Sequence, residues 1–186
     1  MSRIMSRTIL ALAVAPFLPT TALAQNGSFQ DAVKNVQARV EPAVVKRGAT
    51  VNWTLTVDIT EGWHTYPTRQ EDSRASSYVN RLKFAEQSGA VFVGDLKEPS
   101  GVQKDEDGSR VTMVEGTGTW ERKIVIRPDA KPGKIRVKVP ITILVCSDHG
   151  CLPPKTITTE VELTISDEPA VAVDPKYQKE LQSPAK

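Results

Sequence analysis

Two cysteines, Cys146 and Cys151, are the only thiols in the 186-residue chain, and they enclose the short polar sequence Ser-Asp-His-Gly. Asp148 and His149 therefore lie between them, and Pro153 follows two residues after the second cysteine. A cysteine pair at this spacing can form a local disulfide, exchange that disulfide with a partner, or contribute ligands to a metal site. We expect the chemistry of the protein to be found in this segment.

The spacing leaves two kinds of disulfide open, a structural one and a redox-active one. A loop of six residues restrains the unfolded chain weakly, by about 2 kcal/mol, against nearly 5 kcal/mol for a loop of about 100 residues. Such a bond stabilises the fold only weakly, and it can open without unfolding the core. A protonated His149 would stabilise a neighbouring thiolate, the species that attacks in exchange, whereas Asp148 would disfavour it.

A metal site is the third possibility. Cys146, His149 and Cys151, with His64 more distant in sequence, offer ligand types that suit zinc or copper. Their C-x2-H-x-C spacing matches no strong metal signature, and export would favour oxidation of the thiols. No dinucleotide fingerprint, P-loop or hydrolase motif occurs in the sequence. We therefore expect no metal and no cofactor.

The sequence that leads to the cysteines alternates with the period of β-strands. Apolar and polar residues alternate over 51–59 and over 135–145, and a further alternating run covers 157–165. About eight or nine such short segments, with frequent turn residues and no amphipathic helix, predict an all-β sandwich. The strand before the pair delivers Cys146 on the face opposite its core residues. Pro140 within that strand predicts a sheet edge or a change of partner.

Two other segments are assigned from turn residues and charge. Lys97–Arg110 contains proline, glycine and a run of acidic residues, and it is predicted to be a loop. Val111–Val114 and Thr117–Ile126 flank Gly116, an arrangement that predicts a hairpin.

The first 24 residues have the pattern of a secretory signal peptide. Arg3 and Arg7 precede an apolar run at 8–18, and Ala22-Leu23-Ala24 is a small-x-small cleavage site. The apolar run is shorter than the roughly 20 residues that a membrane span requires, and no later segment is apolar enough. We predict an exported, soluble protein without a membrane span after cleavage.

Charge and length bound the function of the remaining chain. The full sequence has 24 Lys and Arg against 22 Asp and Glu, and the signal peptide removes two arginines and no acid, which leaves 22 of each. A near-neutral chain with scattered charges argues against electrostatic capture of nucleic acid or anionic membrane. Its length fits one domain. The predicted organisation is a lead-in at 25–35, a domain at 36–166 and a flexible tail at 167–186.

Over about Val36 to Ile165, the chain resembles the periplasmic N-terminal domain of DsbD, a transmembrane thiol:disulfide interchange protein. The shared features occur in the same order: Gly62-Trp63-His64-Thr65-Tyr66-Pro67, an acidic loop before a strand pair, a strand that runs into Cys146-Ser-Asp-His-Gly-Cys151, and Leu152-Pro153-Pro154. The C-x4-C-L-P-P segment after a β run is the most specific of them, and the Gly-Trp-His-x-Tyr-Pro segment is the second.

The resemblance implies an immunoglobulin-like antiparallel β-sandwich with a redox-active cysteine pair. It implies that Cys151 forms the mixed disulfide with a partner and that Cys146 resolves it. His64 and Tyr66 match the aromatic strand segment near the site, and Asp105–Val114 matches a cap over the cysteines. The best-known members carry aromatic residues in this cap, whereas Asp105–Arg110 contains none, and Met113 is the candidate substitute for a shielding ring.

In the family, this domain receives electrons from a membrane domain by way of a thioredoxin-like domain. It passes them to periplasmic partners such as disulfide isomerases and cytochrome c maturation proteins. This sequence contains no membrane helices and no thioredoxin-like C-x-x-C, so a stand-alone version is expected. The leading hypothesis is a periplasmic thiol–disulfide exchange domain, a component of protein-disulfide reductase activity. Its partners would be thioredoxin-like proteins or a membrane thiol-disulfide transporter. The alternative is a non-catalytic binding or scaffold sandwich with a local structural disulfide.

Overall fold

The computed structural model describes residues 27–106 and 108–182, and the predicted signal peptide at 1–24 lies outside them. No helix in the described ranges is long and apolar enough to cross a membrane. The described elements are α1 Phe29–Ala32, β1 Val33–Glu41, β2 Val44–Val45, β3 Thr50–Ile59, β4 Trp63–His64, β5 Arg81–Leu82, β6 Ala90–Lys97, β7 Val102–Glu106, β8 Ser109–Met113, β9 Thr117–Ile126, β10 Gly133–Ile143, β11 Cys146–Ser147, β12 Gly150–Cys151, β13 Lys155–Ile165 and α2 Gln178–Gln182.

Two four-stranded sheets form the body of the domain. The first has the strand order β1-β3-β9-β6 and is antiparallel throughout; the second has the order β2-β13-β10-β5, in which only β2 runs parallel to its neighbour. Their inner faces meet in one hydrophobic core that contains Trp53 and Trp120, both fully buried. The predicted all-β, immunoglobulin-like sandwich is confirmed.

The strand alternation predicts which side chains form this core. In β3, Val51, Trp53, Leu55, Val57 and Ile59 are all buried, and the residues between them are exposed or half-buried. In β10 the same period buries every second residue from Val137 to Ile143. Successive side chains of a strand point to opposite faces, which is why a period of two identifies the buried face.

Pro140 lies in β10, which pairs with β13 along its whole length but with β5 only at Ile141 and Thr142. The Pro140 carbonyl accepts a hydrogen bond from the Lys83 N–H at 3.0 Å, so this residue's backbone groups face the β5 side. The missing N–H therefore falls where β10 has only a very short neighbour. Of the two predicted alternatives, the structure shows a sparsely covered sheet edge at this proline and no change of partner, because β13 remains paired with β10 throughout.

The loop predicted over Lys97–Arg110 is wrong. Strands β7 and β8 form an antiparallel hairpin there, with Val102 opposite Met113 and Glu106 opposite Ser109. Four of the five residues of β7 are exposed and the fifth is half-buried, so the strand has no buried face that would produce an alternating pattern. Because β7 is charged and exposed, the sequence pattern did not identify it as a strand; the buried side chains of the hairpin belong to its partner, β8.

The hairpin predicted between Val111–Val114 and Thr117–Ile126 is also wrong. Strand β8 pairs with β7, whereas β9 lies between β3 and β6 in the first sheet. Gly116, with a φ of 66°, turns the chain from one sheet into another. Strand β9 pairs with β3 over nine residue positions and with β6 on its other side, so both of its edges are occupied.

The ends of the described chain also differ from the sequence-based assignment. Strand β1 begins at Val33, inside the predicted lead-in at 25–35. After β13, Tyr177 is buried against Val93 and Val125 on the outer side of the first sheet, and the Glu180 carboxylate accepts a hydrogen bond of 2.9 Å from the Gly94 N–H. Prolines and charges predict a flexible tail, but the buried Tyr177 and the Glu180 hydrogen bond attach this segment to the sheet.

Candidate redox site

The cysteines lie in a small three-stranded sheet with the order β12-β11-β4. Within it, Cys146 is the cross-strand partner of Cys151 on one side and of His64 on the other. The two sulfur atoms form a disulfide, and the two Cα atoms are 3.9 Å apart. The bond therefore joins directly adjacent strands and leaves the two large sheets unlinked.

The two halves of the disulfide differ in exposure. Cys146 is only 2% exposed, whereas Cys151 is an exposed residue. Cys146 packs in a small cluster with Tyr66, Val111 and Met113, which is separate from the main core. Leu144 packs against this second cluster, so the predicted placement of Cys146 on the face opposite the core is correct. Cys151 is the end of the bond that another molecule can reach.

A histidine–tyrosine pair lies beside the buried cysteine. The His64 Nε2 and Tyr66 Oη atoms form a hydrogen bond of 3.0 Å, and the two rings meet edge to face at 5.4 Å. His64 is 6% exposed, and burial lowers the pKa of its imidazole, with the Glu106 carboxylate opposing that shift. Burial also raises the pKa of Tyr66 well above its usual range. Both side chains are therefore neutral near pH 7.

Asn80 fixes the backbone on both sides of this pair. Its amide nitrogen donates to the Tyr66 carbonyl at 2.6 Å and to Thr65 Oγ1 at 2.9 Å, and its amide oxygen accepts from the Leu144 N–H at 2.9 Å. Thr65 Oγ1 in turn donates to the Leu144 carbonyl at 2.8 Å. Asn80 is 2% exposed, so these bonds are shielded from water. They hold the segment before Cys146 against the segment after β4.

The β7–β8 hairpin covers the buried cysteine. Its β8 strand supplies Val111 and Met113 to the Cys146 cluster, and Glu106 lies near the turn of the hairpin. The cap predicted over Asp105–Val114 corresponds to the second half of this hairpin. Met113, which is 1% exposed, packs in the Cys146 cluster, and the hairpin leaves Cys151 exposed.

Two polar side chains hold the hairpin in place. Gln70 donates to the Thr112 carbonyl at 3.0 Å and accepts from the Thr112 N–H at 2.8 Å, in the manner of a neighbouring strand. The Asp72 carboxylate binds the Arg74 guanidinium and accepts from the Arg110 N–H at 3.0 Å. These hydrogen bonds, that to Arg74 foremost, hold the pKa of Asp72 well below its usual range.

A depression of about 270 Å³ opens above the disulfide. It is lined by Tyr66, Tyr78, Glu106, Cys146, Ser147, Asp148, Gly150 and Cys151. The sequence-based site thus contributes both cysteines, Tyr66 and Asp148 to one surface. His149 and Pro153 are exposed and do not line it. His149 lies at the tip of the β11–β12 turn, where its N–H donates to Ser147 Oγ at 3.3 Å.

Three residues of the site were not identified from the sequence: Asn80, Tyr78 and Glu106. Asn80 and Tyr78 follow a charged segment without periodicity, and only the aromatic character of Tyr78 marks it. Glu106 lies within the predicted cap, but nothing in the sequence singles it out from its acidic neighbours. With both sulfurs in a disulfide, neither cysteine is a thiolate ligand, and no cluster that could hold a metal ion occurs in the described residues.

The sequence model for the N-terminal domain of the thiol:disulfide interchange protein DsbD matches residues 30–163. The chain belongs to this family. The matched region runs from α1 into β13, so it contains most of both large sheets, the cap hairpin and the two cysteines. No protein with a curated description matches the sequence.

Solved structures similar to this chain include the N-terminal domains of two other proteins. The DsbD N-terminal domain of Neisseria meningitidis, in its reduced form, is 20% identical, with 74% of this chain and 88% of that chain covered and a TM-score of 0.42. The N-terminal periplasmic domain of ScsB from Proteus mirabilis is 18% identical, with 78% of this chain and 50% of that chain covered and a TM-score of 0.45. The match thus spans half of the ScsB chain.

Proposed function

We propose that this domain exchanges disulfides with partner proteins through Cys146 and Cys151. The observation that carries the proposal is the asymmetry of the bond, which joins an exposed cysteine to one that is 2% exposed. A partner thiolate can approach only one end of such a bond. Cys151 is therefore the residue that forms the mixed disulfide, and Cys146 is the resolving cysteine.

The exchange proceeds in two displacement steps. A partner thiolate attacks Cys151 Sγ, the intramolecular bond breaks, and its electron pair leaves on Cys146 Sγ, which takes up a proton. A second partner thiolate then attacks the partner's own sulfur in the mixed disulfide and releases Cys151 as a thiolate, which takes up a second proton. The partner gains a disulfide, and the domain gains two electrons and two protons. The reverse sequence begins with attack by the Cys151 thiolate and reduces a partner.

The position of the bond supports this cycle. The disulfide joins adjacent strands of a small three-stranded sheet, and the two large sheets keep their own hydrogen bonds and core. The partners that we propose are thioredoxin-like periplasmic proteins or a membrane thiol-disulfide transporter, as the family implies. The predicted signal peptide at 1–24 supports a periplasmic location.

The reduction potential of the pair tests the proposal. The oxidised domain is equilibrated with glutathione or thioredoxin buffers, and the fraction reduced is measured. We expect a value between about −270 and −120 mV, the range of known exchange proteins. A value below about −300 mV, which is typical of structural disulfides, would instead support a binding or scaffold domain with a local bridge.

Single-cysteine variants test the separate roles of the two sulfurs. Reduced Cys146→Ala retains the exposed thiol, and reduced Cys151→Ala retains the buried one. With the neutral probe hydroxyethyl disulfide, we expect Cys146→Ala to form a mixed disulfide about tenfold faster or more, because exchange requires access to the thiolate. Equal rates in the two variants would contradict the assignment of Cys151 as the attacking residue.

A further inference from the structure

The charged side chains that line the depression over the disulfide have one sign. Of the residues that line the depression over Cys146 and Cys151, Glu106 and Asp148 are the charged ones, and both are acidic. They come from opposite sides, because Glu106 belongs to the cap hairpin and Asp148 to the turn between the cysteines. The exposed cysteine thus lies between two carboxylates carried by separate elements.

Neither carboxylate is neutralised by a direct partner in the described parts of the chain. The neighbouring cation, Lys104, forms an ion pair of 2.7 Å with Glu115. Glu115 raises the pKa of Lys104 most, and Asp148 and Glu106 add to that shift, which places all four groups in one electrostatic neighbourhood. The charges of Lys104 and Glu115 cancel because the two side chains form this ion pair. The rim of the depression therefore retains two unpaired negative charges.

We propose that Glu106 and Asp148 select the partner of this site, and that the selected partner carries Lys or Arg side chains beside its reactive sulfur. The proposal rests on the exchange function proposed above and names the chemistry of its substrate. An opposite charge on the partner lowers the energy of the encounter at Cys151, and a like charge raises it. The same two carboxylates disfavour anionic thiols and disulfides.

The proposal can be tested with small disulfides of different charge. Reduced domain reacts with cystamine, which is cationic, with hydroxyethyl disulfide, which is neutral, and with dithiodiglycolate, which is anionic. In each reaction the Cys151 thiolate attacks one probe sulfur and the other half leaves as a thiolate that takes a proton. Cys146 then attacks Cys151 Sγ, closes the disulfide and releases the second half. Dithiothreitol, reacting with the same three probes, corrects for their intrinsic reactivity.

Coulomb's law gives the expected size of the effect. Two carboxylates about 8 Å from a probe charge, in water at 0.01 M ionic strength, change the rate about fourfold. Relative to dithiothreitol, cystamine should therefore react about fourfold faster than hydroxyethyl disulfide, and dithiodiglycolate about fourfold slower. In 1 M salt, where the screening length is about 3 Å, the three ratios should converge.

In the variant Glu106→Gln/Asp148→Asn, the rate relative to dithiothreitol should become nearly the same for all three probes at low salt. The matched control is Glu160→Gln/Glu162→Gln, which changes the net charge equally on the exposed face of β13, away from the cysteines, and should keep the wild-type ratios. Wild-type ratios equal to those of dithiothreitol, or a control that loses selectivity equally, would overturn the inference. Failure of the exchange function is distinguishable, because it would appear as a reduction potential below about −300 mV, whatever the order of the three probe rates.

Discussion

Reduction of the Cys146–Cys151 disulfide should lower the free energy of unfolding by about 2 kcal/mol. The bond closes a loop of six residues, and the chain-entropy relation for that length gives about 2 kcal/mol at 25 °C. The folded state adds little to this value, because Cys146 packs in the small cluster rather than in the main core. The reduced domain should therefore remain folded at room temperature.

The same value of about 2 kcal/mol also predicts a difference in reduction potential, through a thermodynamic cycle. The difference in unfolding free energy between the oxidised and reduced forms equals the difference in reduction free energy between the folded and unfolded chains. For a two-electron couple, 30 mV corresponds to about 1.4 kcal/mol, so 2 kcal/mol corresponds to about 45 mV. The folded domain should have a reduction potential about 45 mV more negative than the same chain in concentrated urea.

Urea denaturation of the mature domain, with and without dithiothreitol, measures the first quantity. Fluorescence of the buried Trp53 and Trp120 reports unfolding of the main core. The double variant Cys146→Ala/Cys151→Ala serves as a control that should not respond to dithiothreitol. A loss of more than about 4 kcal/mol on reduction, or a reduced form without a cooperative transition, would refute the reasoning and indicate that the bond supports the fold.

Three further predictions concern the supports of the site and the chain end. Asn80→Leu leaves two buried backbone groups unpaired and should lower the unfolding free energy by about 3 kcal/mol. The control Gln87→Ala removes two exposed hydrogen bonds to the backbone of Lys138 and should lower it by about 1 kcal/mol. Urea titration compares the two variants. Burial lowers the pKa of His64, so the unfolded chain binds the proton more tightly and stability should fall as pH drops from about 7 to 5. His64→Gln should flatten that decline in thermal scans. Tyr177→Ala should cost about 3 kcal/mol and increase amide exchange in the C-terminal segment; no change in either would show that the segment does not stabilise the domain.

The main sandwich could be predicted because its strands have one buried and one exposed face. In β3 and β10 the buried residues follow a period of two, and this pattern is visible without knowledge of the partner strands. The placement of Cys146 followed from the same period, since it occupies the opposite face from Ile143 and Val145. The family resemblance supplied the expected location of the cap.

The strand structure of the cap and the network around Asn80 could not be predicted in this way. Strand β7 has no buried face, so charged residues such as Lys104 and Asp105 suggested a loop. Asn80 is identified by its bonds to backbone groups that lie 14 and 64 residues away in sequence. Such bonds depend on tertiary contacts and leave no periodic pattern. The same applies to Glu106, whose role depends on the turn that brings it over the cysteines.

The arrangement separates stability from redox chemistry within one small domain. The core between the large sheets contains no cysteine, whereas the cluster around Cys146 contains a buried sulfur, Tyr66 and two residues of the cap. Breaking the disulfide removes one short-loop constraint and leaves the Asn80 bonds and the main core in place. Because the cap is held by Gln70 and Asp72 rather than by the cysteines, it can keep Cys146 covered in both redox states. We propose that Cys151 then remains the point of attack throughout the cycle and that the carboxylates beside it govern the choice of partner.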